Sequence, residues 1–156
     1  MPAVHLTDEM KQYVNPARFE SSPCLLTTAG KDGWPSLGFR GSLMVFDETH
    51  LAYWERSKKD GLAHILENPN VLVFYRNTNA KLDPPVRIMW KFYGRAKVHE
   101  NDSVREEVMK RTHQIELDAD PEHKGVAVLI EVDAVQDARG QVIMSRDGVK
   151  IPGVVM

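Results

Sequence analysis

Short β-type runs dominate the pattern of apolar and polar positions. Cys24-Leu25-Leu26-Thr27-Thr28-Ala29 reads as a buried strand, and Lys31-Asp32-Gly33 supplies the turn chemistry for reversal into a second strand beginning near Trp34. Leu37 to Phe46 is rich in β-formers but holds Gly38 and Gly41, which mark a bulge or the close approach of a ligand to bare backbone. Asp47-Glu48-Thr49 then turns the chain into Leu51-Ala52-Tyr53-Trp54, antiparallel to the stretch before it. Val71 to Tyr75 is a further run. Val86 to Val98 alternates as one long strand, with Val86, Ile88, Trp90 and Phe92 on one side and Arg87, Met89, Lys91 and Tyr93 on the other. Val126 to Val135 is the last strong strand, followed by a weaker segment at Gln141 to Met144.

Helical signals are fewer. Thr7, Asp8 and Glu9 precede the i, i+4 pair Met10 and Val14, and Pro16 stops the turn, so a short helix is expected over 7–15. Asp60 can cap a second helix whose apolar face is Leu62, Ile65 and Leu66, ended by Asn68-Pro69. Ser103-Val104-Arg105-Glu106 is a capping-box pattern, and Val104, Val108 and Ile115 continue a helical stripe to about Leu117. Asn77 to Pro85 is polar, holds a Pro-Pro pair and reads as a loop. Roughly six or seven strands with three inserted helices, no repeat and no strand-helix alternation predict a mainly β fold, an antiparallel barrel or strongly curved sheet.

Composition narrows this picture. With 156 residues the chain reads as a single domain over 1–156, ending in a C-terminal tail from about 136. The formal net charge of −2 gives no positive field to collect a nucleic-acid backbone. No stretch approaches the roughly eighteen apolar residues of a membrane helix, and Met1 to Asn15 lacks a secretory apolar core, so a soluble, cytoplasmic protein is expected. Cys24 is the only cysteine, which excludes an internal disulfide framework; it reads as a small buried hydrophobe.

The chemistry-bearing stretch is Tyr53-Trp54-Glu55-Arg56-Ser57-Lys58-Lys59-Asp60-Gly61, where a strand end runs through a basic, hydroxyl-bearing turn into a helix start. Helix-start N–H groups, a serine hydroxyl and lysine or arginine charge together favour a phosphate, although the same triplet also serves as a solvated turn. One strand earlier, Arg40-Gly41-Ser42-Leu43 lets a planar ligand lie against bare backbone with Arg40 as a fork of donors; the plainer reading is a bulge and a surface cation. Trp54 and Trp90 could flank an aromatic ring system or simply pack. The six histidines show no metal-ligand spacing, and no G-x-S-x-G, Walker A or G-x-G-x-x-G motif is present, so no metal is expected.

The order Leu6-Thr7-Asp8-Glu9, Leu25-Leu26-Thr27-Thr28-Ala29 with Asp32-Gly33-Trp34-Pro35, Arg40-Gly41-Ser42, Ser57-Lys58-Lys59, Glu67-Asn68-Pro69-Asn70-Val71 and Gly94-Arg95-Ala96-Lys97-Val98 resembles the pyridoxamine 5′-phosphate oxidase-like FMN-binding split β-barrel family. The resemblance implies a six-stranded antiparallel split barrel working as a homodimer, with FMN held in clefts at the subunit interface. It places Arg40, Gly41, Ser42 and Leu43 along the isoalloxazine and ribityl chain, Trp54 and Glu55 beside the ribityl, and Ser57, Lys58 and Lys59 at the phosphate. The partner subunit would add residues among Met89, Trp90 and Lys91.

Two departures qualify the match. Counted back from Asn68-Pro69, the family's basic phosphate residue falls near Gly61, so Lys58 and Lys59 fit through a longer turn. The oxidases' Arg-x-His-x-Arg substrate motif is also missing: Ser145-Arg146-Asp147-Gly148 offers one arginine and no histidine, and pyridoxamine phosphate is not assigned as substrate. The resemblance thus implies an FMN-dependent oxidoreductase acting on a small molecule, with the tail's Arg139, Arg146 and Lys150 near an anionic substrate or simply solvated. The deazaflavin F420 as cofactor, or a non-catalytic flavin- or haem-binding protein with His99 as first candidate ligand, stays open.

Overall fold

A computed structural model of the chain describes residues 1–57, 59–78 and 88–156. Lys58 and the 79–87 stretch, which carries most of the expected loop and the start of the long strand, lie outside the described residues.

The strands form where the apolar alternation places them. They are β1 (Cys24–Ala29), β2 (Pro35–Arg40), β3 (Met44–Val45), β4 (His50–Glu55), β5 (Asn70–Asn77), β6 (Ile88–His99), β7 (Val126–Gln136) and β8 (Val142–Ser145). All pair antiparallel in one sheet of order β2-β1-β5-β6-β7-β4-β3, with β8 added to β7. Curling of this sheet buries one face of every long strand. On β6, Ile88, Trp90 and Phe92 point into the core while Met89, Lys91 and Tyr93 are only partly covered, the phase that the alternation predicts.

The stretch Leu37 to Phe46 is not one strand. Its first half pairs with β1, Cys24 facing Arg40, and its second half pairs with β4, Met44 facing Ala52. β2 and β3 are thus the two ends of the sheet order, joined by Gly41-Ser42-Leu43, and the barrel is split between them. Sequence periodicity reads the two halves as continuous because both carry β-formers; the change of partner depends on tertiary closure alone.

Among the described residues, five helical pieces decorate this sheet. Helix α1 (Asp8–Val14) is capped by Thr7, whose Oγ1 accepts from the Met10 N–H at 3.1 Å, and delivers Met10 and Val14 into the main core, next to Leu6 from the segment before it. A 3₁₀ turn (Ala17–Glu20) follows it. Helix α2 (Asp60–Glu67) inserts Leu62 and Ile65; its N-cap position is Lys59 rather than Asp60, and no side chain caps it. The expected 103–117 helix is broken into α3 (Ser103–Arg111) and α4 (Gln114–Asp118). Thr112 is the cause: its Oγ1 donates back to the Val108 carbonyl at 2.7 Å and its backbone turns extended, which ends the ladder. Ile115 consequently leaves the apolar stripe and is exposed.

The core centres on Tyr53, Tyr75 and Phe92, with Trp90 stacked on Tyr75 at 5.7 Å between centroids. Aromatic rings of this size remove about 150–250 Å² each from water. A second cluster, Met44, Ala52, Val108 and Ala127, seats α3 on the outer face of β4 and β7. Cys24 is buried and its thiol is pushed up to about 12 by desolvation, as the small-hydrophobe reading requires. Among the described residues no helix is long and apolar enough to cross a membrane.

Candidate functional site

The split leaves a cavity of about 390 Å³ where the sheet fails to close. Phe39, Arg40, Gly41 and Ser42 line it from the crossing, Trp54, Glu55, Arg56 and Ser57 from the end of β4, and Glu116 and Ala119 from α4 and beyond. Six of the residues assigned from the sequence meet here: Arg40, Gly41, Ser42, Trp54, Glu55 and Ser57. They converge because β4 ends at the same level at which β2 releases the chain toward β3.

The other expected residues lie elsewhere. Leu43 is buried in the main core. Lys59 sits at the start of α2, exposed, and Lys58 is outside the described residues. Met89 and Trp90 border a separate cavity of about 420 Å³ with Glu9, Asp137 and Arg139, and most of the Trp90 side chain is turned into the barrel. Neither indole offers a free stacking face: Trp90 is taken by Tyr75, and Trp54, only 2% exposed, lies under the Arg105 guanidinium at 4.9 Å with its Nε1 donating to Asp120.

The polar groups of the cavity are mostly spoken for. Arg40 donates through Nε to Glu55 Oε2 at 3.2 Å, through Nη1 to the Phe39 carbonyl at 2.9 Å, and lies over the Tyr53 ring. Glu55 also accepts the Ser57 N–H at 3.1 Å. Burial pushes the Glu55 carboxyl above the ordinary carboxylate range, against the Arg40 charge that pulls it down. Burial, reinforced by the Glu55 charge, likewise raises the Tyr53 phenol. The Ser42 hydroxyl donates to the Trp54 carbonyl at 3.1 Å and accepts the Trp54 N–H at 2.9 Å, so it replaces a ladder rung and is no spare donor. By contrast, the Ser57 hydroxyl and the Lys59 ammonium have no partner among the described residues. They stand beside the uncapped start of α2, whose first-turn N–H groups carry the positive end of the helix dipole.

Gly61 stands where the resemblance would place the family's basic phosphate residue. A Cβ there would lie 2.9 Å from Arg40 Nη2, so the Arg40 guanidinium occupies the space beside it. Two functional candidates escape the sequence reading: Arg18 in the 3₁₀ turn and Glu116 in α4, which form an ion pair across 98 positions, with Arg56 Nε on the other Glu116 oxygen at 3.4 Å. Neither carries a local motif. A Cβ on Gly41 would meet the ends of both side chains, so the bare backbone there leaves room for the pair.

The family model for pyridoxamine 5′-phosphate oxidase matches residues 6–137. The chain belongs to this family. The fold recurs in solved structures of low identity. One is a Lactobacillus delbrueckii protein provisionally named a pyridoxamine 5′-phosphate oxidase (23% identity, 85% of this chain and 94% of that one, TM-score 0.60). A second is an FMN-binding protein from Syntrophomonas wolfei (8%, 83% and 86%, 0.60). A third is a heme binding protein from Mycobacterium smegmatis (14%, 83% and 55%, 0.60). No curated protein sequence matches the chain. At these identities the structures establish the split-barrel fold alone.

Proposed function

We propose that this chain is an FMN-binding flavoprotein and an oxidoreductase, with the ribityl-phosphate end of the flavin at the β2–β4 cavity. The observation that carries this reading is the convergence of Arg40, Gly41, Ser42, Trp54, Glu55 and Ser57 on one cavity at the split of the barrel. The donors available to a single phosphate are the Ser57 hydroxyl and the Arg56 guanidinium on the cavity lining, with Lys59 two positions beyond Ser57 at the uncapped start of α2. A bound flavin supplies hydride or electron transfer; the chain binds it, orients it and restricts water around it. Pyridoxamine phosphate is not proposed as the substrate, because the arginine–histidine motif is absent and Arg146 is held by Asp133 at 2.9 Å.

The exposed apolar surface beside the cavity supports a homodimer as part of this reading. Trp34, Leu37 and Phe39 are 76%, 65% and 68% exposed in and beside the edge strand β2, and Phe39 also lines the cavity. An apolar stripe on an open edge strand is expected to be covered, and a second copy would bury it while completing the ring-binding side of the site. The partner's cavity-bordering Met89 is the leading contribution from the other chain.

The visible spectrum of the purified protein, recorded before and after dithionite, tests this reading. A two-band absorbance that bleaches on reduction is expected, together with FMN release on denaturation and a dimeric mass in solution that Phe39→Asp converts to monomer. Colourless protein stabilised by F420 but not by FMN moves the cofactor assignment. A Soret band overturns it in favour of haem. One observation favours that second reading: His99 holds Asp102 through Nδ1 at 2.6 Å, while its Nε2 is buried without a hydrogen bond at the margin of a third cavity. Loss of the Soret band in His99→Ala would then identify the ligand.

A further inference from the structure

Arg56, which lines the β2–β4 cavity, and Arg18 behind Gly41 already have a carboxylate between them. Glu116 pairs with Arg18 through one oxygen and with Arg56 through the other, and its side chain is 4% exposed against 35% and 43% for the two arginines. Arg40 is committed to Glu55. In the cavity lining two guanidiniums, Arg40 and Arg56, stand against two carboxylates, Glu55 and Glu116, and Arg18 beside it adds one positive charge, little for a phosphate monoester of roughly −2. An anion placed at Arg18 and Arg56 would also lie against Glu116, where repulsion is strong because the carboxylate is withdrawn from water.

The helix that carries Glu116 is built unusually for a docked element. Among the residues of α4, only Glu116 is buried, and Ile115 on the same helix is exposed. Side chains from α4 thus reach the body of the protein chiefly through an ion pair rather than an apolar face. Extended residues Thr112 and His113 precede it. No residue of α4 belongs to either apolar cluster, so exchange of its ion pair for another does not by itself expose the core.

We propose that Glu116 sets the selectivity of this cavity for ligand charge: it is an internal counter-ion that a phosphate monoester must displace from Arg18 and Arg56. Binding exchanges one anion for another at the same guanidiniums. Neutral ligands leave the pair in place. This inference rests on the assignment of the cavity to the phosphate end of the ligand and adds the residue that governs how much the phosphate contributes.

Binding of FMN, riboflavin and inorganic phosphate to the wild type and to Glu116→Gln tests it. Glutamine keeps the length and one acceptor while removing the charge. FMN affinity should rise about tenfold or more in Glu116→Gln, with riboflavin affinity unchanged. Millimolar phosphate should raise the melting temperature of the variant more than that of the wild type. Equal loss of FMN and riboflavin in the variant would overturn the proposal and make Glu116 a structural anchor or an acceptor for ribityl hydroxyls. The wild type supplies a second test that does not depend on the variant folding: FMN and riboflavin should bind within about tenfold of each other, and a preference of about a thousandfold for FMN overturns the proposal. If neither flavin binds but phosphate still stabilises Glu116→Gln selectively, the flavin reading fails and the counter-ion role stands. If phosphate shows no difference either, both fall.

Discussion

Glu55 and Asp133 are both buried carboxylates facing arginine, yet their environments push them in opposite directions. Asp133, on β7, is desolvated, but Arg95 donates to it through Nε and Nη2 at 3.0 Å each and Arg146 through Nε at 2.9 Å, and these bonds hold its carboxyl below the ordinary range. Glu55, at the cavity, has one guanidinium and one backbone N–H, and there burial wins and its carboxyl is raised. The number of charge-assisted hydrogen bonds per carboxylate decides the sign. Asp133 is a clamp that ties the tail after β8 to the sheet. Glu55 is incompletely compensated, which is the condition expected of a group at a ligand site.

The largest effect should come from removing the guanidinium hydrogen-bonded to Glu55. Arg40→Met leaves a buried carboxylate with no guanidinium and should cost about 2–3 kcal/mol at pH 7 in denaturant unfolding. Because the folded pKa of Glu55 lies above its unfolded value, stability should fall as pH rises through and past the carboxylate range, more steeply in this variant than in the wild type. The double variant Arg40→Met/Glu55→Gln should lose that excess slope; if it persists, Glu55 is not its source.

Asp133→Asn should cost about 2 kcal/mol at neutral pH, less because Arg95 and Arg146 remain partly hydrated. Here the sign reverses. The folded pKa of Asp133 is depressed, so its contribution is complete above the carboxylate range and is lost as pH falls through it; the variant should show a flatter acid limb. An acid limb unchanged from the wild type would remove Asp133 from the account.

Smaller effects separate ligand binding from stability. Lys59→Ala should weaken FMN by about tenfold by titration, leave riboflavin unchanged and leave the melting temperature within error, since Lys59 is exposed and unpaired among the described residues. Arg146→Met should be the mildest, about 0.5–1 kcal/mol, because Arg95 still holds Asp133. A loss as large as that of Asp133→Asn would mean that the tail depends on Arg146 alone.

Much of the fold is legible in the chain. The span of β1, the inward phase of β6 and the Thr7 cap of α1 follow from local alternation and capping chemistry, which need only neighbouring residues. The strand end at Trp54-Glu55 and the hydroxyl-bearing turn after it are legible for the same reason. Three features are not. The break at Gly41-Ser42 separates two segments of similar composition. The break at Thr112 depends on a side chain competing with the helix ladder. The Trp54 indole is committed to Arg105 and Asp120, residues far along the chain.

The sequence by itself thus determined the β class, the inward phase of the long strand β6 and the place of the basic turn after Trp54-Glu55, because hydrophobic period and turn chemistry act over a few residues. Tertiary structure alone decided where the barrel splits and which charges meet in the split. Arg18, Arg40, Glu55, Arg56 and Glu116 come together only when the sheet curls and α4 docks, and the strength of each pair depends on the burial that this closure creates. Charge spacing in the chain carries no record of that desolvation.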